Sequence, residues 1–548
     1  MFQGHPKGLY VAFFANMGER FGFYTMMAIL VMFLQAKFNL APDTAGWIYS
    51  IFYFSIYALA LVGGILADRT QNYKGVITTG IVVMFVGYII MAIPGLGLPV
   101  ALTGLFTIAI GNGLFKGNLQ ALVGQMYDNP GYSKLRDTAY SIFYMGINIG
   151  AFFAPNAARG IRSWYLAQNG FRYDADLPGL CNRLLSGQLP DTSTLQGLAN
   201  SATGSTVADL HSFAQNYIAV FSLGYNYAFG IAALAMLISL LCFSFFKGLL
   251  PDKKAQAAKA GTGKVVEREE GEGQRIFALI LVFLVVIFFW MSFHQNGLTL
   301  TYFARDYTVK TVDPFTYQFF HLWTFLSILA AVYGLVYMIR RQSSSLMRGI
   351  GGCLLIGGAG LAYWFNSGFS TANSIEPEVF QQFNPIFIVV LTPLVVGIFA
   401  WLRKKGNEPS TPRKIGFGMI LASIGFVIML LGSFHLLSPS SLAGQPSPDR
   451  VSPYWLITAY FVLTVAELCL SPMGLSFVSK VAPSRYQGLM QGGWLGATAL
   501  GNQLLFVGSS MWVRIEVWQV WAIFVVCCLI SATFIFSIMK RLERVTGA

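Results

Sequence analysis

Five ionisable side chains stand inside long apolar stretches of this chain: Glu19, Arg20, Lys116, His294 and Glu467. Insertion scales put the cost of a charge at the centre of a membrane at about 2.5–3.5 kcal/mol, so each of these groups needs a partner or a task. Glu19 and Arg20 sit in the middle of the first stretch and Lys116 in the fourth, whereas His294 and Glu467 fall beyond a long charged segment near the middle of the chain. The first half therefore offers two cations and one anion, and the second half an anion and a titratable imidazole. That layout suits a zwitterion lying across the interface between the halves. Neighbouring helical residues point about 100° apart, so Glu19 and Arg20 are expected to find separate partners. Lys116 lies too far from a helix end for its ammonium to reach the membrane surface. Glu467 has no charge near it in its own stretch. A lone histidine in an apolar helix more often makes a satisfied polar contact, but a position opposite the first-half cations makes His294 a candidate proton carrier.

The elements that carry these groups are membrane helices. Of the 548 residues 55% are hydrophobic and 11% charged, less than half the roughly 25% charge of a soluble domain. The mean hydropathy is +0.59, and the 57 glycines fit helices that pack closely in lipid. Fourteen apolar stretches are long enough to cross a ~30 Å hydrocarbon core. Six lie at about 9–35, 46–67, 76–95, 100–123, 138–157 and 217–246; eight follow at 276–301, 316–339, 349–366, 384–402, 414–433, 454–477, 488–510 and 518–539.

The net charge of +13 comes from short basic clusters between these stretches rather than from a nucleic-acid-binding face. Arg69 and Lys74, Lys134 and Arg136, the 247–275 stretch, Arg340 to Arg348, Arg403 to Lys414, Lys480 and Arg485, and the tail from Lys540 all fall on one side. By the positive-inside rule that side is cytoplasmic, and both termini with it. The first stretch has no A-x-A cleavage site and reads as a retained span. The chain carries no Asn-x-Ser/Thr sequon, which favours a prokaryotic source and a bacterial inner membrane.

Residues 247–275 mix Lys, Arg, Glu, Gly and Ala without apolar periodicity and read as a linker between an N-terminal bundle, 1–246, and a C-terminal one, 276–548. Two six-helix bundles joined by a cytoplasmic linker is the plan of the major facilitator fold, whose halves rock about a midplane site. Two stretches are then surplus. The pair at about 316–366 turns tightly at Arg340-Arg341-Gln342-Ser343-Ser344-Ser345 and can be removed without inverting any other span, so it is expected to form an accessory hairpin. The loop at about 160–216 is assigned to the outside, with no function legible in it.

Several classes of function are excluded. Five of the six cysteines lie in apolar stretches and Cys181 stands alone, so neither a disulfide framework nor a metal-ligand spacing exists. No nucleotide loop, nucleophile–base set or His-x-x-x-His pair appears, which argues against an enzyme, ATP drive or any cofactor.

Several motifs resemble one family. Asn16-Met17-Gly18-Glu19-Arg20-Phe21-Gly22-Phe23-Tyr24 is similar to the first-helix Glu-x-x-Glu-Arg-Phe-x-Tyr-Tyr signature of the proton-dependent oligopeptide transporters. Gly113-Leu114-Phe115-Lys116-Gly117-Asn118 resembles their fourth-helix lysine segment and Phe143-Tyr144-Met145-Gly146-Ile147-Asn148-Ile149-Gly150 their fifth-helix signature. Gly64-Ile65-Leu66-Ala67-Asp68-Arg69 resembles the facilitator loop motif. Phe383-Asn384-Pro385-Ile386-Phe387, Ala466-Glu467-Leu468-Cys469-Leu470-Ser471-Pro472 and Gly493-Trp494 fit later helices. The resemblance covers nearly the whole chain. It implies a cavity for di- and tripeptides, the peptide carboxylate near Arg20 and Lys116 and its amino terminus near Glu467, with Tyr24, Tyr57, Asn148, Asn384 and Trp494 at cavity positions. Clamps for the two charged ends read the class of substrate and leave its side chains unread.

Three positions depart from the pattern. Asn16 replaces the first signature glutamate, Met27 an arginine of many bacterial members, and His294 a seventh-helix acidic residue that pairs with that arginine across the outer gate. Losing both partners together leaves neither charge orphaned. The departures move the expected proton coupling onto Glu19 and His294. A histidine at a similar position also occurs in the plant nitrate-transporting branch, so the resemblance leaves nitrate or another small anion as an alternative cargo. Oligomeric state is not legible.

Overall fold

The computed structural model describes residues 4–128, 131–251, 271–340, 344–483 and 486–546. Its first half contains α1 (Gly8–Phe38), α2 (Pro42–Thr70), α3 (Tyr73–Ala92), α4 (Leu98–Met126), α5 (Arg136–Gln168), two short helices α6 (Leu177–Leu185) and α7 (Ser193–Thr203), and α8 (Leu210–Phe246). The second half contains α9 (Glu272–Phe293), α10 (Thr299–Asp306), α11 (Leu322–Ile339), α12 (Ser345–Ser367), α13 (Phe383–Lys404), α14 (Thr411–Leu431), α15 (Tyr454–Val481), α16 (Gln487–Gln503), α17 (Phe506–Trp512), α18 (Val517–Ser537) and α19 (Met539–Thr546). A helix lies at each of the fourteen predicted positions. Among the described residues eleven helical segments are long and apolar enough to cross a membrane. The other positions are occupied by α5, which carries Arg136, Asp137, Arg159 and Arg162, by α15, apolar over Tyr454–Leu470, and by the 17-residue α16.

Local sequence sets several boundaries. Proline near the N-termini of α2 and α4 costs no hydrogen bond there. Asn72 accepts from the Gly75 amide and Asp209 from the His211 amide, capping α3 and α8. Two boundaries differ from the sequence reading. Residues 316–321 precede the accessory hairpin as a turn, because Asp313 caps a single helical turn and His321 then caps α11. The seventh span is also broken: α9 ends at Phe293, a 3-10 turn covers His294–Gly297, and α10 follows.

Helices α1 to α5 and α8 pack on one another, with α1 between α5 and α8; α14 packs on α15 and α18, α9 on α16 and α18, and α13 on α15. The halves meet where α2 faces α16 and α17 and where α5 faces α13. Small residues permit the closest crossings. A Cβ at Gly351 would fall 2.8 Å from the Gly334 carbonyl oxygen, so the α11–α12 hairpin holds together only with glycine there. The hairpin docks beside the interface of the halves through Phe325, whose ring lies 6.1 Å from that of Phe152 on α5. Most of the linker, the hairpin turn at Arg341-Gln342-Ser343, Arg485, and the side chains of Lys134, Ser471 and Pro472 lie outside what is described.

Candidate functional site

Helix α1 brings Asn16, Arg20 and Tyr24 onto one face at i, i+4 spacing. The expectation of separate partners for Glu19 and Arg20 is corrected: they pair directly, Arg20 Nε donating to Glu19 Oε2 at 2.5 Å and Nη2 to Oε1 at 2.7 Å. A long guanidinium stem spans the 100° between neighbours where a shorter side chain would not. Asn112 on α4 adds an amide hydrogen bond to Glu19 Oε1 at 2.6 Å. Glu19 is 0% exposed, so its charge is held wholly by these two partners. Asn16 donates to the Phe143 carbonyl at 3.4 Å, tying α1 to α5.

Lys116 on α4 projects toward α2, its Nζ 3.8 Å from the centre of the Tyr57 ring. The charges of Arg20 and Glu19 are within its electrostatic reach. Tyr24 feels Arg20, Glu19, Tyr57 and, from the second half, Glu467; Tyr57 feels Arg20 and Glu467. Glu467 on α15 accepts from Asn384 of α13 at 2.9 Å, and Asn384 also donates to Thr464 at 3.1 Å. The structure thus brings Arg20, Tyr24, Tyr57, Lys116, Asn384 and Glu467 into one electrostatic neighbourhood, cations on one half and the carboxylate on the other.

The remaining predicted residues are placed differently. Asn148 donates to the Tyr144 carbonyl at 3.0 Å, within its own helix, and Tyr144 lies within electrostatic reach of Glu467, Tyr24 and Tyr57. Trp494 is buried beside Phe283, ring centres 6.4 Å apart, in space left by the absent side chain of Gly474. His294 occupies the break after α9. Its Nδ1 is 2.5 Å from Asn502 Oδ1, and its ring lies between Trp290 at 4.7 Å and Tyr53 of the other half at 4.6 Å. Lys116 is the charge it senses.

A second charged cluster was missed. Arg162, 0% exposed, bridges from α5 to Glu376 and Glu378 of the other half, with Ser163 and Arg159 also reaching Glu376. These residues fall just outside the predicted spans. Their signal was the basic pair Arg159 and Arg162 one helical turn apart, past the predicted end of the fifth span but still inside a helix that runs to Gln168. Further bonds join the halves on this side, called here the loop side because residues 169–209 lie on it. Lys310 pairs with Asp174 at 2.7 Å, Arg450 with Asp176 at 2.8 Å, and Arg183 donates to the Ala443 carbonyl at 2.6 Å. The conformation is closed there. Among the described residues no group of three or more His, Cys, Asp or Glu side chains gathers as metal ligands would.

A helical membrane protein with two packed halves and charged groups facing each other across their interface has the architecture of a secondary transporter. The chain belongs to the POT family, whose model matches residues 74–262 and 366–521, and its fold is that of the major facilitator transporters. It is 28% identical over 527 residues to a peptide transporter of Yersinia enterocolitica, covering 91% of this chain and 87% of the relative. It is 27% identical to dipeptide and tripeptide permease A of Erwinia pyrifoliae, covering 90% and 83%. Among solved structures it is similar to a POT peptide transporter in complex with alafosfalin, with a TM-score of 0.67 at 23% identity over 100% of this chain and 97% of the other.

Proposed function

We propose that the protein imports di- and tripeptides by proton symport, alternating access to a central cavity between its halves. The observation that carries this reading is the placing of opposite charges on the two halves: Arg20 and Lys116 on the first, Glu467 on the second, with Tyr24 and Tyr57 within electrostatic reach of both Arg20 and Glu467. Every small peptide presents a carboxylate at one end and an ammonium at the other, so this spacing selects the class by its termini. Asn384, Asn148 and Trp494 complete the walls. The relatives named above as a peptide transporter and a dipeptide and tripeptide permease support the cargo. Glu467 disfavours nitrate, since a carboxylate in the site repels an anion, and neither of those relatives is named for it.

In this reading the bundles are 1–246 and 276–548 joined by the 247–275 linker, the chain crosses a bacterial inner membrane fourteen times, both termini are cytoplasmic, and the loop side faces outward. Glu19 and His294 carry the proton. Tyr53 belongs to one half and Trp290 and Asn502 to the other, so separation of the halves on the loop side uncovers His294 to that side alone. The test is uptake of labelled dialanine by proteoliposomes under an imposed inward proton gradient, with nitrate as competitor. Accumulation that nitrate leaves unchanged supports the reading; nitrate accumulation without peptide overturns it.

A further inference from the structure

Away from the central charges, on the loop side, a cavity of about 710 Å³ opens between the halves. That volume lies within the 300–1,000 Å³ range of small-molecule sites. Its walls come from the end of α1, from α6 and the segment before it, from α10, from the 439–447 loop and from the end of α17. Asp176 and Arg183 contribute charge from the first half, Arg305 and Asp306 from the second. The guanidinium and carboxylate of the latter pair bond at 2.6 Å while staying 18% and 24% exposed, so both keep hydrogen-bonding capacity toward the space. Four wall residues carry a side-chain polar atom without a partner among the described residues: the amide nitrogen of Gln35, the hydroxyl of Tyr225, the amide oxygen of Gln445 and the indole N–H of Trp512, a residue only 1% exposed. Buried polar atoms are nearly always satisfied, and these covered donors and acceptors reach a guest that offers both once their side chains turn toward the space.

We propose that this cavity is a second binding site for a small zwitterionic solute, filled from the loop side and distinct from the central one. Two acids balance two guanidiniums in the wall, which favours a guest of zero net charge carrying both signs. Identifying that guest as a short peptide rests on the transport reading above; the site itself rests on the cavity. Both halves build the walls, so a ligand here binds the loop-side-closed conformation better than one in which the halves have parted, and holds the transporter closed. High peptide concentration on the loop side then slows uptake. The short helix α6 gains a role as part of the wall of this site.

Gly179 of α6 lines the cavity, and a Cβ built there meets no atom within 4 Å, so Gly179→Trp fills the space without a clash at its root. The test is equilibrium dialysis of labelled dialanine against the full-length protein in nanodiscs, together with uptake by proteoliposomes. The parent is expected to bind two dialanines per chain. Gly179→Trp should bind one, keep the parent's uptake at low peptide concentration and lose the slowing at high concentration. Asp306→Asn, a milder change that guards against misfolding in the first variant, should weaken the second site at least fivefold. Equal numbers and affinities in the parent, Gly179→Trp and Asp306→Asn overturn the proposal, whatever uptake shows. A parent that accumulates no peptide yet has a dialanine site lost in Gly179→Trp supports the cavity and sinks the transport reading instead.

Discussion

The ammonium of Lys116 on α4 rests 3.8 Å from the centre of the Tyr57 ring on α2, and among the described residues no carboxylate pairs with it. Glu19, the nearest acid by sequence motif, is already held by both the Arg20 guanidinium and Asn112. A cation over an aromatic face is stabilised by about 0.5–2 kcal/mol, far less than a carboxylate supplies in a cavity from which water is excluded. In the proposed mode of transport Lys116 is therefore the cation that receives an incoming peptide carboxylate, and Tyr57 the group that steadies it meanwhile.

Lys116→Ala should abolish gradient-driven accumulation of dialanine while the protein still expresses and inserts, because its loss removes the substrate's partner without orphaning a buried acid. Accumulation within twofold of the parent, measured in proteoliposomes at matched protein content, contradicts the assignment.

The buried bridge from Arg162 to Glu376 and Glu378 closes the loop side. Arg162→Leu leaves Glu378 buried without compensation and Glu376 with only Arg159 and Ser163, a cost of roughly 3–5 kcal/mol to the closed conformation. Spin labels at Gln188→Cys and Ser441→Cys, both on exposed residues of opposite halves, in a background without the exposed Cys353, should report longer distances in the variant. An unchanged distance distribution means that the bridge does not hold the halves together.

The proton site is tested by His294→Gln, which keeps polarity and approximate volume but cannot titrate. The variant should retain peptide counterflow and lose accumulation driven by pH. Accumulation with the parent's pH dependence would place coupling on Glu19 or Glu467 and leave His294 as the partner of Asn502.

The intramembrane charges were legible because a membrane makes each of them conspicuous against its apolar surroundings. Hydropathy also placed a helix at every predicted span, since twenty apolar residues in a row admit few other structures. The direct Glu19–Arg20 pair was not legible: helical periodicity fixes where Cα–Cβ bonds point, not how far a guanidinium turns back. Arg162, Glu376 and Glu378 escaped for a different reason. At a span end a charge is unremarkable in sequence, and only the fold shows that the end of α5 and the 3-10 turn preceding α13 bury theirs together. The break at His294 went unread although it has a signal: the polar His294-Gln295-Asn296-Gly297, ending in an Asn-Gly turn dipeptide, interrupts the apolar run. Cys181, by contrast, is as solitary as its sequence suggests, and burial pushes its thiol up to about 12.

The account stands or falls on whether Glu467 holds the peptide's ammonium group across the interface from Lys116 and Arg20. The measurement is inhibition of dialanine uptake by dialanine itself and by N-acetyl-dialanine, in the parent and in Glu467→Gln. The variant should lose at least tenfold in apparent affinity for the free peptide, about 1.4 kcal/mol or more, and change little toward the acetylated analogue, which has no charge for the carboxylate to meet. Equal losses for both ligands, or none for either, would contradict a site that reads peptides by their termini.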